Sequence, residues 1–336
     1  MLITRGSTLL AAVFSAGFTT AFENPVREPA PDPSLVFAGG NYHLTFTSYN
    51  RITIVRSDKL SGLPNGEQKT IWTDVNTTRS ANMWAPELHQ IDGVWYMFYS
   101  SCDASLSCCD SCSTRVLRGC DAAGPYNCEF QHLADLIPPE GSRGGLDNNF
   151  AFSIDGTDNE FNQALAITQL DTDSWTVSAW HVISIPDQPW ERNITGANPP
   201  PSEDLIGVNE APHPLYHGDD IWLCYSASNC ATPNYSLGLL HWNGGDPLLK
   251  SSWDKTGQVF SQANGLYGTG HNSFFTSPDG TEIWNAFHAT RNSAGSCGGD
   301  RFTSAQIVTF DENNTPNFGI PQPLGEILTP PSGEAN

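Results

Sequence analysis

Five short segments of the chain repeat one pattern, and this repeat restricts the possible fold more than any other feature. Each segment opens on a Gly, Asp or Asn turn and runs into a strand dense in aromatic and aliphatic residues. They are Gly39–Phe46, Asp92–Tyr99, Asp155-Gly-Thr with Asn162–Ile167, Gly218–Tyr225 and Asp279–Phe287. Their last strand residues, Phe46, Tyr99, Ile167, Tyr225 and Phe287, stand 53, 68, 58 and 62 positions apart. Five units of that size account for nearly the whole chain. Turn–strand units at this spacing, with no helical periodicity between them, read as blades of a β-propeller. The expectation is therefore an all-β, five-bladed β-propeller of four strands per blade, forming a single domain over residues 22–336. A β-sandwich with a small second domain is the competing architecture.

Composition agrees with many short strands joined by turns: 30 Gly, 24 Pro, 17 Phe, 10 Trp and 9 Tyr. The 36 Asp and Glu against 15 Lys and Arg leave a net charge of −21. Such a field repels phosphate backbones and anionic lipid, which argues against a nucleic-acid or membrane partner. Residues 1–21 read as a secretory signal peptide: Arg5 precedes the apolar Thr8–Phe18, and Thr19-Thr20-Ala21 supplies small residues for cleavage. The stretch is too short for a membrane span. The expected location is extracellular.

Cysteine usage points the same way. Cys102, Cys108, Cys109, Cys112, Cys120 and Cys128 cluster in an insertion over 102–128, while Cys224, Cys230 and Cys297 stand apart. No second pair or histidine completes a zinc site around Cys109-x-x-Cys112. In an oxidising compartment the cluster is expected to form two or three local disulfides pinning an irregular loop, and nine thiols leave at least one unpaired. Sequons at Asn76, Asn193, Asn234 and Asn313 permit glycosylation.

In a propeller the innermost strand of each blade faces the central channel, so a site there draws residues from several blades. Polar residues precede the repeats at similar offsets. Asp32 lies 14 before Phe46, Glu87 12 before Tyr99, Asp147 20 before Ile167, Glu210 15 before Tyr225 and His271 16 before Phe287. Four carboxylates and an imidazole would converge on one axis. Crowded like charges raise at least one carboxyl pKa, which a general acid at neutral pH needs.

The local sequences at these positions resemble glycoside hydrolase family 43. The resemblance is carried by Pro29-Ala-Pro-Asp32-Pro-Ser, Asn82-Met-Trp-Ala-Pro-Glu87, Gly145-Leu-Asp147, Val208-Asn-Glu210-Ala-Pro, Gly268-Thr-Gly-His271-Asn-Ser and Phe287-His-Ala-Thr-Arg291, in order along the chain. The resemblance implies a five-bladed propeller with its catalytic site in the central channel, and inverting hydrolysis of arabinosides or xylosides. It implies Asp32 as general base, Glu210 as general acid and Asp147 as the carboxylate that orients the acid and keeps its pKa up. Trp84 would bind the sugar and Arg291 would contact a sugar hydroxyl or Asp147, with Glu87 in a structural role. His271 matches a histidine that, in arabinan-degrading members, helps to hold a channel ion, so a structural Ca2+ is a candidate although no cofactor is required for the chemistry. Asp147 departs from the family pattern, since it leads into Asn148-Asn149-Phe150.

The wording around Glu210 and His271 resembles exo-acting α-L-arabinofuranosidases most closely. β-Xylosidases of the family carry an extra C-terminal sandwich, and only 45 residues follow Arg291. Endo-arabinanase, β-xylosidase and a non-catalytic sugar-binding propeller are the rival readings. The expected partner is plant cell-wall polysaccharide or an oligosaccharide of it, met by a monomer.

Overall fold

The structure is a computed structural model that describes residues 21–106, 111–137, 151–155, 161–194 and 205–334. The residues proposed as a signal peptide, apart from the last, lie outside it, as do Asp147, Cys108 and Cys109.

The described chain is all-β, and its sheets take a propeller arrangement. The first sheet runs in chain order through β1 (Ser34–Ala38), β2 (Asn41–Thr45), β3 (Ile52–Ser57) and β4 (Glu67–Trp72). The second contains β5 (Ala81–Ile91), β6 (Val94–Cys102), β7 (Ser113–Arg118) and β8 (Gln131–Leu136). The strands β9 (Ala151–Asp155), β10 (Phe161–Ile167) and β13 (His181–Ser184) follow, with a small hairpin of β11 (Leu170–Asp171) and β12 (Thr176–Val177) between the last two. They share one sheet with β14 (Leu205–His217), β15 (Asp220–Ala227), β16 (Ser236–Trp242) and β17 (Trp253–Phe260), because the start of β10 pairs in parallel with the start of β14. The last sheet is β18 (Tyr267–Thr276), β19 (Ile283–Thr290), β20 (Phe302–Phe310) and β21 (Pro316–Asn317). Four of the repeat segments thus begin at a hairpin turn and fill the strand after it, β2, β6, β15 and β19. Gly39 and Gly40, at φ +56° and +75°, form the two-residue turn between β1 and β2, where both central residues need left-handed backbone.

Burial explains the residue choice. β6, β15 and β19 are buried along almost their whole length, so both faces are mostly apolar or small, with Asn285 and His288 of β19 as buried polar exceptions. The peripheral β17 instead alternates between exposed and half-buried positions, as a strand with one wet face does. The core lies between neighbouring sheets. Ile52 and Ile54 pack against Met83, Leu88 and Met97, whereas Leu215 and Leu237 pack against Phe287 and Phe302. Between the first and last sheets, Leu35 and Tyr42 meet Phe275, Trp284 and the incoming Phe22 and Val26. The N-terminal segment is tied there by bridges from Phe22 to Leu328 and from Arg27 to Thr303.

The cysteine-rich segment is more regular than the sequence suggests. Cys102–Cys112 closes the connection from β6 to β7, and Cys120–Cys128 closes that from β7 to β8. The bridges therefore staple two hairpin connections around an ordinary strand instead of pinning one irregular loop. A third bridge, Cys230–Cys297, joins two sheets, and Cys224 is a buried free thiol.

Candidate active site

The inner strands share a local distortion that builds the site. In β5, Trp84 pairs with Ser100 and Glu87 with Phe98, so Ala85 and Pro86 together oppose Tyr99. In β14, Glu210 pairs with Ser226 and His213 with Cys224, leaving Ala211 and Pro212 opposite Tyr225. In β18, Gly270 pairs with His288 and Ser273 with Ala286, leaving His271 and Asn272 opposite Phe287. These are β-bulges, in which an extra residue re-aims the side chains around it. Asp32 and Pro33 stand in the equivalent place ahead of β1, whose ladder begins at Ser34 and Thr45. Asp32, Ala85, Ala211 and His271 all have left-handed backbone, with φ of 55°, 44°, 48° and 47°. Proline at the second bulge position removes no ladder hydrogen bond, because that residue is already outside the ladder.

Left-handed backbone on non-glycine residues costs about 1–3 kcal/mol each and needs outside support. The neighbouring sheet supplies it. The amide of Ala85 donates to Thr47 Oγ1 at 2.8 Å, that of His271 to Ser226 Oγ at 2.7 Å, and that of Asp32 to His288 Nδ1 at 3.2 Å. Thr47, Ser226 and His288 each follow the repeat aromatic of their own sheet. A single device thus locks three bulges to the sheet before them, the first sheet being locked to the last.

Asp32, Trp84, Glu210 and His271 line one pocket of about 220 Å³, together with Thr47, Tyr49, Arg301 and the Cys230–Cys297 pair. Asp32 is buried and held by Arg301, whose Nη1 donates to Oδ1 at 2.6 Å and Nη2 to Oδ2 at 3.4 Å. His271 Nδ1 lies 3.4 Å from the same Oδ1. Burial by itself raises the Asp32 carboxyl pKa, but the Arg301 guanidinium and then His271 outweigh it and hold the group well below the usual carboxylate range. Burial, followed by the nearby Arg301, lowers His288 to about 3, so its ring is neutral. Its Nδ1 meets the Asp32 amide at 3.2 Å, Arg301 Nη1 at 3.3 Å and Asp32 Oδ1 at 3.1 Å. The Glu210 carboxylate accepts from Gln163 Nε2 at 2.9 Å.

Two expectations are corrected. Glu87 does not share this pocket, because the bulge carries it past the site: it is buried against His89, with Oε2 3.1 Å from Nε2. Arg291 lies outside the pocket as well. Its exposed guanidinium pairs with Glu28 at 2.6 Å and covers the Phe302 ring. The cation at the site is Arg301, which the sequence reading missed along with His288 and Gln163. One signal was available for the bulges: Asp32, Ala85 and Ala211 each stand 14 residues before Phe46, Tyr99 and Tyr225. That constant offset aligns Trp84, not Glu87, with Glu210. Nothing comparable marked Arg301.

Asp32, His271 and His288 could each direct one ligand atom to a common point, the atoms lying within 4.8 Å of one another. Calcium takes about six to eight oxygen ligands. This group offers two imidazoles and a carboxylate already claimed by a guanidinium, so it does not fit a calcium ion.

The profile of Glycosyl hydrolases family 43 matches residues 22–316. The sequence is 33% identical to an extracellular exo-alpha-(1->5)-L-arabinofuranosidase of Streptomyces avermitilis, over 98% of this chain and 69% of that protein. It is 31% identical to alpha-L-arabinofuranosidase 43 of Humicola insolens, over 94% of this chain and 68% of that one. The fold is similar to the crystal structure of alpha-L-arabinofuranosidase from Lactobacillus brevis, with a TM-score of 0.77 and 25% identity over 91% of this chain and 98% of that one. The chain belongs to family 43 of the glycosyl hydrolases.

Proposed function

We propose that this chain is a secreted, exo-acting α-L-arabinofuranosidase that removes terminal arabinose from plant cell-wall arabinan with inversion, working as a monomer. The observation that carries the reading is the meeting of Asp32 and Glu210 in one pocket beside Trp84. Inversion needs an ionised carboxylate to take a proton from water and a protonated carboxyl to give one to the leaving oxygen, with about 6.5–9.5 Å between them. The depressed pKa of Asp32 suits the base. Glu210, arriving from another sheet, is the acid, and Trp84 presents a ring face to the sugar. Asp147, which lies outside the described residues, is the third carboxylate, which orients the acid. The arabinofuranosidase names of the similar proteins favour the furanoside over the xyloside.

The pocket opens into the central channel of a five-bladed propeller in this reading. β9, β10 and β13 are the third blade, which shares a sheet with the fourth only through the short parallel contact of β10 with β14. Incubation with linear arabinan, arabinoxylan and the nitrophenyl arabinofuranoside and xyloside tests the activity. Arabinose as the sole early product, released as the inverted anomer by NMR, is expected. Early oligosaccharides, a preference for the xyloside, or retained configuration would each overturn the corresponding part.

A further inference from the structure

Arg301 reaches Asp32 from the connection between β19 and β20, which has no strand of its own over residues 291–301. Three attachments fix that connection. Cys297 is bridged to Cys230 in the connection from β15 to β16. Asp300 accepts from Thr290 Oγ1 at 3.2 Å and from Ser296 Oγ. Gly295, at φ +85°, packs so closely on Thr232 that a Cβ there would stand 2.2 Å from its carbonyl carbon. Arg301 then bonds back to this connection, with Nε on the Gly298 carbonyl at 3.0 Å and Nη2 on the Cys297 carbonyl at 2.9 Å. The guanidinium fork is thereby oriented by the half-cystine on one side and directs its remaining donors to both Asp32 oxygens and His288 Nδ1.

The other two bridges differ in kind. Cys102–Cys112 and Cys120–Cys128 span 10 and 8 residues within one sheet, whereas Cys230–Cys297 spans 67 and joins two sheets at the pocket wall. We propose that the Cys230–Cys297 disulfide is a positioning element for the Asp32 carboxylate, acting through Arg301. Tying the two connections together fixes the Cys297 carbonyl, the carbonyl fixes the guanidinium, and the guanidinium fixes the carboxylate against the attacking water. This rests on Asp32 being the general base.

A double-mutant cycle on the full chain tests it, with nitrophenyl arabinofuranoside as substrate, below the melting temperature of every variant. Cys230→Ser with Cys297→Ser should lower kcat about 10- to 100-fold, the scale of a small misplacement of a catalytic group, with KM changed by no more than about twofold. Arg301→Gln should produce a similar loss. Because the bridge acts through the guanidinium, the triple variant should fall no more than about twofold below Arg301→Gln alone. The pair Cys120→Ser and Cys128→Ser should leave kcat unchanged. Wild-type kcat in the Cys230/Cys297 variant, or losses that multiply in the triple variant, would refute the positioning role. Both half-cystines are part-exposed, so if the serine variant does not fold, phosphine reduction of the folded Cys120→Ser/Cys128→Ser enzyme, assayed without alkylation, makes the comparison with Arg301 present and in the Arg301→Gln background. An unaltered protein that cleaves no arabinofuranoside refutes the functional reading; an active one whose kcat ignores the bridge refutes this one.

Discussion

Trp84 and Glu210 occupy the same place in two different sheets. Each pairs with the serine that follows its sheet's repeat tyrosine, and each precedes a left-handed alanine and a proline. One structural position therefore carries an aromatic ring in one sheet and a carboxylate in another. Divergence of side chains on a repeated bulge, with the backbone kept, is how this fold sets different chemistry around one pocket.

Asp32→Asn and Glu210→Gln should each lower kcat by about 10²–10⁴-fold, the usual worth of a general acid or base. The two should differ by leaving group. A nitrophenyl glycoside needs little protonation, so Glu210→Gln should lose less on it than on arabinan, while Asp32→Asn should lose alike on both. Steady-state kinetics on the two substrates reads this directly. Equal losses for Glu210→Gln would remove it from the acid's role.

Arginines 291 and 301 separate cleanly. The Arg291–Glu28 pair is exposed on both sides, and such pairs contribute about 0–1 kcal/mol. Arg291→Ala should therefore keep kcat and KM near those of the parent. Trp84→Ala should instead raise KM, since it removes a pocket wall. A large rise in KM with Arg291→Ala would restore that residue to the sugar site.

His43 makes stability depend on pH. It is buried on β2 with Nε2 3.1 Å from the Ala38 carbonyl, and burial lowers its pKa from 6.5 to about 4. The folded protein keeps it neutral while the unfolded chain protonates it below about pH 6.5, so the unfolded state binds more protons and stability falls with falling pH across pH 6.5 to 4. The slope from one such group approaches about 1.4 kcal/mol per pH unit. His43→Gln should flatten the stability–pH curve in that window by about one proton's worth, whatever it does at pH 7. An unchanged slope in denaturant titrations would mean that this imidazole is protonated in the native state.

The cysteine bridges should contribute by loop length. On the chain-entropy account, removing Cys120–Cys128 costs about 2–3 kcal/mol and removing Cys230–Cys297 about 4 kcal/mol. Chemical denaturation of the paired serine variants ranks them, and the reverse order would show that native packing, not loop closure, dominates.

The sequence alone determined the all-β sheet architecture and four of the site residues that meet, Asp32, Trp84, Glu210 and His271. Each repeat joins a turn, whose residues accept left-handed backbone, to a strand apolar on both faces, and such a strand is stable only between neighbours. That is local chemistry, and it is legible from Gly39-Gly40 or Asp92-Gly93 onward. Asp32 and Glu210 were legible too, because each stands just before a proline, Pro33 or Pro212, that marks backbone outside the ladder. Arg301, His288 and Gln163 were not. Arg301 and Asp32 are 269 residues apart, and their pairing depends on the first sheet docking against the last and on a disulfide that fixes the connection carrying the arginine. That Glu87 stands away from the pocket was not legible either, because a bulge between Trp84 and Glu87 shifts every later side chain by one step and strand periodicity does not reveal it. Only the tertiary structure decided which residue of each motif faces the pocket, because that depends on hydrogen bonds from Thr47, Ser226 and His288 of the adjoining sheets to the bulge amides.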